Sequence, residues 1–363
     1  MATATTKKPD YIVSPGAILD EILEERGIAK QAFAERCGRT PKFISEIISG
    51  KAPLTEETAL HFGRVLDMEP QVWVNLESNY RLRLAERQEE EEFARQSAWA
   101  KKFPVRDMVR YRMFDTPKSP AETVRCILDF FGTASIAACD DMLASRQASV
   151  AYRRSQSFRG HPEAVMAWLH WGARIAADIQ CSEYDPMRFK ACLKQARSLT
   201  LSGPEEIQAR LGKLCADAGV ALVFSPELPG TRLSGAARWA GDTPIIQLSL
   251  RHKSDDHLWF TFFHEAGHIL LHGKKGLFID DDKGDIDDPR EAEANEFAAS
   301  SLIPKPMWKA FVANRCFDEA SIRAFSAECG IAPGIAVGRL QYERVVPYNT
   351  ALNRLKQRFE WIA

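Results

Sequence analysis

The sequence lacks several features that would each point to a particular class of protein. No uninterrupted apolar run reaches the length of a membrane span, and the first nine residues hold no apolar segment of the kind found in secretory signals. The eight cysteines are scattered and none forms a C-x-x-C pair, which argues against a disulfide framework and against a cysteine-type zinc site. We therefore expect a cytoplasmic protein without membrane contact.

An excess of charge of one sign is also absent. The chain has 48 basic and 49 acidic residues, a net charge of −1, so no global field favours nucleic acid and any affinity for DNA must come from a local patch. Apolar residues make up 45% of the 363 positions and charged residues 27%, which is typical of globular proteins. This length allows two or three domains, and no internal repeat or low-complexity tract interrupts them.

One stretch, residues 256–272, is apolar almost all the way round. Trp259, Phe262 and Phe263 leave hardly any face for solvent, which predicts a buried helix. Asp255 is the predicted N-cap of this helix.

Three polar residues of this predicted helix form the sequence H-E-x-x-H. His264 and His268, four residues apart, share one face and can bind one metal ion together. Glu265 lies about 100° further round and can reach a water on that ion. The pattern is that of zinc peptidases, so we predict Zn²⁺ on the two histidines and Glu265 as the general base.

A catalytic zinc ion takes three protein ligands, and the third must come from another element. Asp288-Pro289 predicts a helix start, with Asp288 as N-cap and Glu291 closing a capping box. Phe297 must face the core, and Glu293 is its i−4 neighbour, so Glu293 is the predicted third ligand. The group that stabilises the developing oxyanion is left open among His252, His257, His272 and Arg238.

The segments Phe260–His272 and Glu291–Ala298 resemble the ImmA/IrrE family of zinc metallopeptidases. The resemblance covers about residues 204–340 and implies a zincin-like fold. It also implies zinc ligation by the H-E-x-x-H pair and by the Glu of E-A-N-x-F-A, which is Glu293 here. The usual role of that family is to cleave a repressor and so release its genes.

Strand signals precede the predicted helix that carries H-E-x-x-H, and they predict a small sheet beside it. They cover residues 220–224, 233–239 and 244–250. An edge strand of such a sheet can pair with an extended substrate. The acidic residues 280–293 that follow are predicted to form a solvated loop over the cleft.

Near the N-terminus, cap and glycine signals divide residues 14–87 into five helices. Ser14-Pro15 starts the first helix and Thr40-Pro41 the third, while Gly38 turns the chain between the second and the third. Two short helices joined by a glycine-containing turn form the helix-turn-helix pattern.

Local charge favours DNA as the ligand of this region. Residues 26–51 hold six basic and two acidic residues. The predicted DNA contacts, which would meet phosphates and base edges, are Gln31, Arg39, Thr40, Lys42 and Ser45. A small helical protein-interaction domain is the alternative, since such helices also pack without DNA.

The spacing of Gln31, Ala34, Gly38, Thr40 and Ile44 is similar to the Cro/cI-type helix-turn-helix, and the wider segment resembles HigA/VapI-type antitoxins. The resemblance implies a homodimer that binds a palindromic operator, often its own promoter, and raises the question of a toxin partner. Arg39 departs from the aliphatic residue usual in that pattern.

These predictions combine into an α+β protein. We expect a flexible arm (1–13), a five-helix DNA-binding domain (14–80), a helical middle region (81–202) and a zinc metallopeptidase domain (203–363). The expected function is a transcriptional regulator whose peptidase domain hydrolyses a peptide bond in itself or in a partner protein. The alternative is an antitoxin-like repressor whose zinc domain only binds a protein or senses a ligand.

Overall fold

The structure, a computed structural model, describes residues 12–151, 161–249, 251–275, 277–281 and 288–359. The chain divides into two compact units: residues up to Ala98 with Lys118–Val124, and Trp99–Pro117 with the residues from Arg125 onward. Within the described residues, no helix combines the length and the apolar character needed to cross a bilayer. The predicted arm, residues 1–13, falls almost entirely outside the described part of the chain.

Along the first unit, helices lie close to the predicted positions, and the first and third begin at their predicted capping residues. They are α1 (Pro15–Glu25), α2 (Lys30–Arg36), α3 (Pro41–Ile48), α4 (Glu56–Leu66) and α5 (Pro70–Arg95). Ser14 Oγ accepts the backbone N–H of Ala17, and Thr40 Oγ1 accepts that of Phe43, so each side chain satisfies a donor that the first turn leaves open. The fifth helix extends to Arg95, well beyond the predicted end at residue 87.

The core of the first unit holds α3 in place through its inner face. Ile44 and Ile47 of α3 are buried together with Phe33 and Phe62. Gly16 of α1 lies so close to α3 that a Cβ there would come within 2.1 Å of the Ile47 carbonyl oxygen. The opposite face of α3 is left to solvent.

Along the second unit, a run of helices precedes three consecutive strands, and further helices follow with one more strand among them. Helix α7 begins in the first unit and ends in the second. In chain order the elements are α6 (Val105–Arg110), α7 (Pro120–Phe131), α8 (Ile136–Ala151), α9 (Pro162–Ala177), α10 (Pro186–Ser198), α11 (Pro204–Asp217), β1 (Ala221–Phe224), β2 (Leu233–Ala240), β3 (Thr243–Leu248), α12 (Asp255–His272), β4 (Phe278–Asp281), α13 (Pro289–Leu302), α14 (Lys305–Ala313), α15 (Glu319–Cys329) and α16 (Pro333–Tyr342). Short 3-10 helices cover Ser97–Lys102, Leu199–Leu201, Gly273–Lys275 and Ala351–Leu355.

The strands form one mixed sheet in the order β1-β3-β2-β4. The β1–β3 pair is parallel, whereas β2 runs antiparallel to both β3 and β4. Strands β1 to β3 match the predicted ones to within two residues at either end. Strand β4 was not predicted, because its last two residues belong to the acidic stretch 280–293 that we expected to be a loop. Residues 282–287 of that stretch lie outside the described part.

The sheet carries helices on both faces. Leu222 and Ile246 pack against Trp259 and Phe262 of α12, while Val223 and its neighbours on the other face pack beside Ile175 of α9. Helix α12 is buried over most of its length as predicted, but His257 near its start is exposed and Leu271 near its end is 49% exposed. Its N-cap is Ser254 and not Asp255, which already lies inside the first turn.

The fold is mostly helical with one small mixed sheet, as expected for the α+β class. Phe189 and Leu193 of α10 belong to the same core as α12. This part of the predicted middle region is therefore packed with the sheet and α12.

Candidate functional sites

The two histidines of H-E-x-x-H face each other inside the second unit. His264 and His268 are 2% and 1% exposed, and their Nε2 atoms lie 3.0 Å apart. Burial lowers the pKa of His268 to about 4. Its ring is therefore neutral near pH 7, the form that binds metal ions.

A carboxylate from α13 completes the cluster, and it belongs to Glu291. Its Oε2 lies 3.2 Å from His264 Nε2, and its Oε1 lies 3.5 Å from His268 Nε2. Burial raises the pKa of the Glu291 carboxyl, but its interactions with His264 and His268 outweigh burial and hold that pKa well below its usual range. The three side chains place one ligand atom each within 4.8 Å of one another.

This arrangement corrects the prediction that Glu293 is the third ligand. The Glu293 side chain is 62% exposed, and its Oε2 lies 3.1 Å from His272 Nε2. The fully buried residues of α13 are Ala294 and Ala298. Glu291 precedes them by three and seven residues and so shares their face, whereas Phe297, on which the prediction rested, is only partly buried.

The expected capping box is corrected for the same reason. Asp288 does cap α13, since its Oδ1 accepts the N–H of Arg290 at 2.9 Å. Glu291 does not fold back onto the cap; its carboxylate is turned toward the histidines.

Further side chains contact the Nδ1 atoms of both histidines and the ring of His268. His264 Nδ1 donates to Asn295 Oδ1 at 3.0 Å. His268 Nδ1 and His272 Nδ1 lie 2.9 Å apart, and the ring of Phe278 on β4 stacks on His268 with centroids 4.1 Å apart. These contacts set the orientation of both rings.

Glu265 is completely buried beside the sheet. A Cβ on Gly235 of β2 would lie 2.7 Å from its Oε1 and 2.6 Å from Thr261 Cγ2. The glycine therefore leaves the space in which the Glu265 carboxylate sits. No sequence signal in β2 pointed to this role of Gly235.

The candidates for oxyanion stabilisation are tied to other partners. Arg238 Nη2 donates to the Leu169 carbonyl of α9 at 2.9 Å. Burial lowers the pKa of Arg238 to about 10, although the charge of Glu265 raises it. His252 and His257 stack on each other with centroids 4.0 Å apart. His272 contacts His268 and Glu293.

The predicted DNA contacts lie on and around α2 and α3. Gln31, Thr40, Lys42 and Ser45 are exposed. Arg39 is partly buried, forms an ion pair with Glu57 at 2.8 Å and lies over the ring of Phe43. Gly38 adopts a φ of +64°, which favours glycine, at the turn between the two helices.

Comparison with known proteins finds similarity in two separate parts of the chain. Residues 215–358 match the Peptidase_M78 family, described as the IrrE N-terminal-like domain. The N-terminal part is similar to the uncharacterized HTH-type transcriptional regulator YddM of Escherichia coli K12, at 36% identity over 73 residues, which is 20% of this chain and 78% of the relative. It is also similar to virulence-associated protein I of Dichelobacter nodosus, at 33% identity over 75 residues, 20% of this chain and 69% of the relative.

A solved structure gives a comparable match. The crystal structure of a candidate antidote protein of a plasmid maintenance system from Nostoc punctiforme is 31% identical, and the match covers 22% of this chain and 89% of that one with a TM-score of 0.22. YddM and virulence-associated protein I are each matched over more than two thirds of their length. The chain thus belongs to the helix-turn-helix transcriptional regulators and carries a C-terminal domain of the Peptidase_M78 family.

Proposed function

We propose that this DNA-binding regulator is also a zinc-dependent peptidase that hydrolyses a peptide bond in a regulatory protein, either itself or a partner. The observation that carries the proposal is the buried cluster of His264, His268 and Glu291 on the same helix as the buried Glu265. Two imidazoles and one carboxylate are the ligand set of many catalytic zinc sites.

The cluster fits zinc in its dimensions as well as in its chemistry. Tetrahedral ligands at about 2.0–2.1 Å from a zinc ion lie roughly 3.3 Å from each other. The two Nε2 atoms lie 3.0 Å apart, Glu291 Oε2 lies 3.2 Å from His264 Nε2, and Glu291 Oε1 lies 3.5 Å from His268 Nε2, which are all close to this spacing. A zinc ion bound here by His264, His268 and Glu291 would acidify a water molecule and polarise the substrate carbonyl.

Glu265 has the role of general base and then of general acid. It takes the proton of the attacking water and gives that proton to the leaving amine as the peptide bond breaks. A carboxylate suits this role when it is held away from bulk solvent, because its orientation then stays fixed and its charge is not screened. Here Gly235 leaves the space that the Glu265 carboxylate occupies, and α12 fixes its position beside the sheet.

Strand β4 offers the substrate a place beside the cluster. Among the described strands it lies at an edge of the sheet, and Phe278 at its start contacts the ring of His268. An extended peptide that lies along β4 would run past the site.

The DNA-binding function belongs to the first unit. The operator would be contacted by Gln31 of α2 and by Thr40, Lys42 and Ser45 at and after the start of α3. Arg39, in the turn between the two helices, would be a further contact. We also propose that the chain forms a homodimer and binds a palindromic operator, with its own promoter as the first candidate.

The peptidase activity is tested with the full chain and Glu265→Gln. Each is loaded with zinc and incubated alone and with a proteome-derived peptide library, and new peptide ends are identified by mass spectrometry. We expect cleavage products from the wild type, and none from Glu265→Gln or after chelation of zinc. A wild-type chain that binds zinc but cleaves neither itself nor the library would favour the alternative, an antitoxin-like repressor whose zinc domain binds a protein or senses a ligand.

A further inference from the structure

His272 and Glu293 continue the polar chain that starts at the metal-facing His268. His268 Nδ1 and His272 Nδ1 lie 2.9 Å apart, and His272 Nε2 lies 3.1 Å from Glu293 Oε2. The His272 ring is nearly buried, with its side chain 5% exposed, while the Glu293 carboxylate reaches solvent. Neither side chain contributes to the cluster of His264, His268 and Glu291.

When His268 binds zinc through Nε2, the contacts on the other side of its ring fit one tautomer of each of the two rings. A carboxylate only accepts, so His272 Nε2 carries a hydrogen and donates it to Glu293. In a neutral ring, His272 Nδ1 is then an acceptor, and the hydrogen between the two rings belongs to His268 Nδ1. This leaves the lone pair of His268 Nε2 directed at the cluster, as a metal ligand requires.

His264 is held by an equivalent contact with Asn295, which accepts the hydrogen of its Nδ1 at 3.0 Å. Helix α13 therefore supplies the Glu291 carboxylate and the ends of both supporting contacts, Asn295 and Glu293. Partners of this kind orient metal-binding imidazoles, and their loss typically weakens metal affinity by about 10- to 100-fold.

We propose that His272 and Glu293 form a positioning pair that fixes the tautomer and the orientation of His268 for zinc binding. The proposal rests on the zinc site of the proposed function and adds two residues to it. It also gives a role to Glu293, the residue that the sequence marked as a ligand.

The test measures zinc affinity of the full chain by competition with a chromophoric chelator. The variants are Glu291→Ala, Glu293→Ala, Glu293→Gln, His272→Ala and the double variant of His272→Ala with Glu293→Ala. The matched control is Glu296→Ala, which removes another exposed glutamate of α13, one that pairs with Lys305 at 2.6 Å. Thermal unfolding of each zinc-free variant shows whether it is folded.

We expect Glu291→Ala to lose measurable zinc binding and His272→Ala to weaken it by about 10- to 100-fold. Glu293→Ala should weaken it by a smaller factor, about 3- to 10-fold, because His268 keeps its direct partner. Glu293→Gln, which retains an acceptor, should stay close to the wild type, as should Glu296→Ala. The double variant should bind no more weakly than His272→Ala alone, since Glu293 acts through His272.

Cobalt substitution gives a readout that a purely structural role would not affect. We expect the Co²⁺ absorption bands of Glu293→Ala to keep their wild-type positions, because the three ligands are unchanged. Bands that shift in Glu293→Ala, together with a complete loss of zinc affinity, would make Glu293 a ligand and overturn the proposal.

Other results separate this proposal from the proposed function. If the wild type binds zinc and neither His272→Ala nor Glu293→Ala changes its affinity, the positioning pair is overturned while the zinc site stands. If Glu293→Gln loses as much affinity as Glu293→Ala, the role of Glu293 as an acceptor is overturned. A wild type that binds no added zinc would overturn the metal site and both proposals with it.

Discussion

The position of the Glu265 carboxylate on α12 depends on the absence of a side chain at Gly235 on β2. The glycine has no side chain where the carboxylate lies, and any Cβ there would come within 2.7 Å of Glu265 Oε1 and 2.6 Å of Thr261 Cγ2. Carbon atoms in real structures do not approach that closely, so the carboxylate and the threonine must move when a methyl group is added.

Substitution of Gly235 by alanine should therefore displace the general base. We expect Gly235→Ala to cost about 1–3 kcal/mol of stability through overpacking and to lower the rate of peptide cleavage by about 10- to 100-fold through the misplaced carboxylate. Zinc content should remain at the wild-type level. Gly212→Ala is the control, because nothing lies within 4 Å of a Cβ there; equal effects of both changes would contradict this account of Gly235.

Asp255, in the first turn of α12, is a buried carboxylic acid next to a second one. It is fully buried, and its Oδ1 accepts the N–H of Asp256 at 2.9 Å. Burial and then the charge of Asp256 raise the pKa of Asp255 from 3.8 to about 7. The folded state therefore holds this proton up to a higher pH than the unfolded chain does, and the stabilisation is lost as the pH rises from about 4 through 7.

We expect Asp255→Asn to remove this dependence. Relative to the wild type it should be more stable at pH 8, by up to about 4 kcal/mol, the free energy that corresponds to a shift of about three pH units. The difference should shrink toward pH 5. The measurement is urea unfolding of the zinc-free chain between pH 5 and pH 8, with Asp141→Asn, an exposed aspartate on α8, as control; a constant difference across this range would refute the assignment.

At the scale of elements, the metal cluster depends on the close crossing of α12 and α13. A Cβ on Gly267 would lie 3.1 Å from Phe297 Cδ1 and 3.3 Å from the Cα of Ala294. The two helices can approach closely because Gly267 has no side chain and Ala294 has a small one. This close contact places the Glu291 carboxylate beside His264.

A bulky residue at Gly267 should push α13 away from α12. We expect Gly267→Val to weaken zinc binding by at least about tenfold, since ligand geometry must be held within about 0.5 Å. Gly267→Ala, which requires a shift of only a few tenths of an ångström, should have a much smaller effect. Circular dichroism shows whether the helices remain formed; a folded valine variant with wild-type zinc affinity would show that the crossing does not control the site.

The elements that sequence reasoning located are those with local signals. Ser14, Thr40 and Asp288 each cap a helix as predicted, because the capping side chain satisfies backbone donors only a few residues away. The two histidines of H-E-x-x-H face one another for an equally local reason, the four-residue spacing on one helix. These features require no knowledge of the tertiary structure.

The features that sequence reasoning missed depend on tertiary packing. Strand β4 is four residues long and carries acidic residues, so only its pairing with β2 makes it a strand. The third ligand was assigned to Glu293 because the large Phe297 was expected to mark the inner face of α13. The inner face is marked instead by Ala294, since a close helix crossing requires small residues.

At the scale of the whole molecule, the two proposed functions lie in different compact units. The residues proposed to contact DNA belong to the first unit, and the metal cluster belongs to the second. Each unit has its own buried core, one around Phe33, Phe62 and Trp73 and the other around α12. Because each site is built within one core, a surface substitution at either site should leave the other site intact.

Lys42→Ala and Glu265→Gln test this separation from both sides. The Lys42 side chain is 86% exposed at the start of α3. Loss of one phosphate contact should weaken binding to the DNA upstream of the chain's own gene by about 3- to 10-fold and lower the slope of log affinity against log salt by about one, with zinc content unchanged. Lys194→Ala, at an exposed lysine of the second unit, should change neither.

Glu265→Gln should give the opposite pattern, with cleavage abolished and both zinc content and DNA affinity preserved, because the buried Glu265 belongs to the second unit and the residues proposed to contact DNA belong to the first. Fluorescence anisotropy with labelled DNA and zinc analysis on the same preparations measure the two properties together. If Glu265→Gln lowers DNA affinity while its zinc content is normal, the two sites are coupled, and a change at the peptidase site reaches α3. DNA binding would then have to be understood as a property of the whole chain and not of its first unit alone.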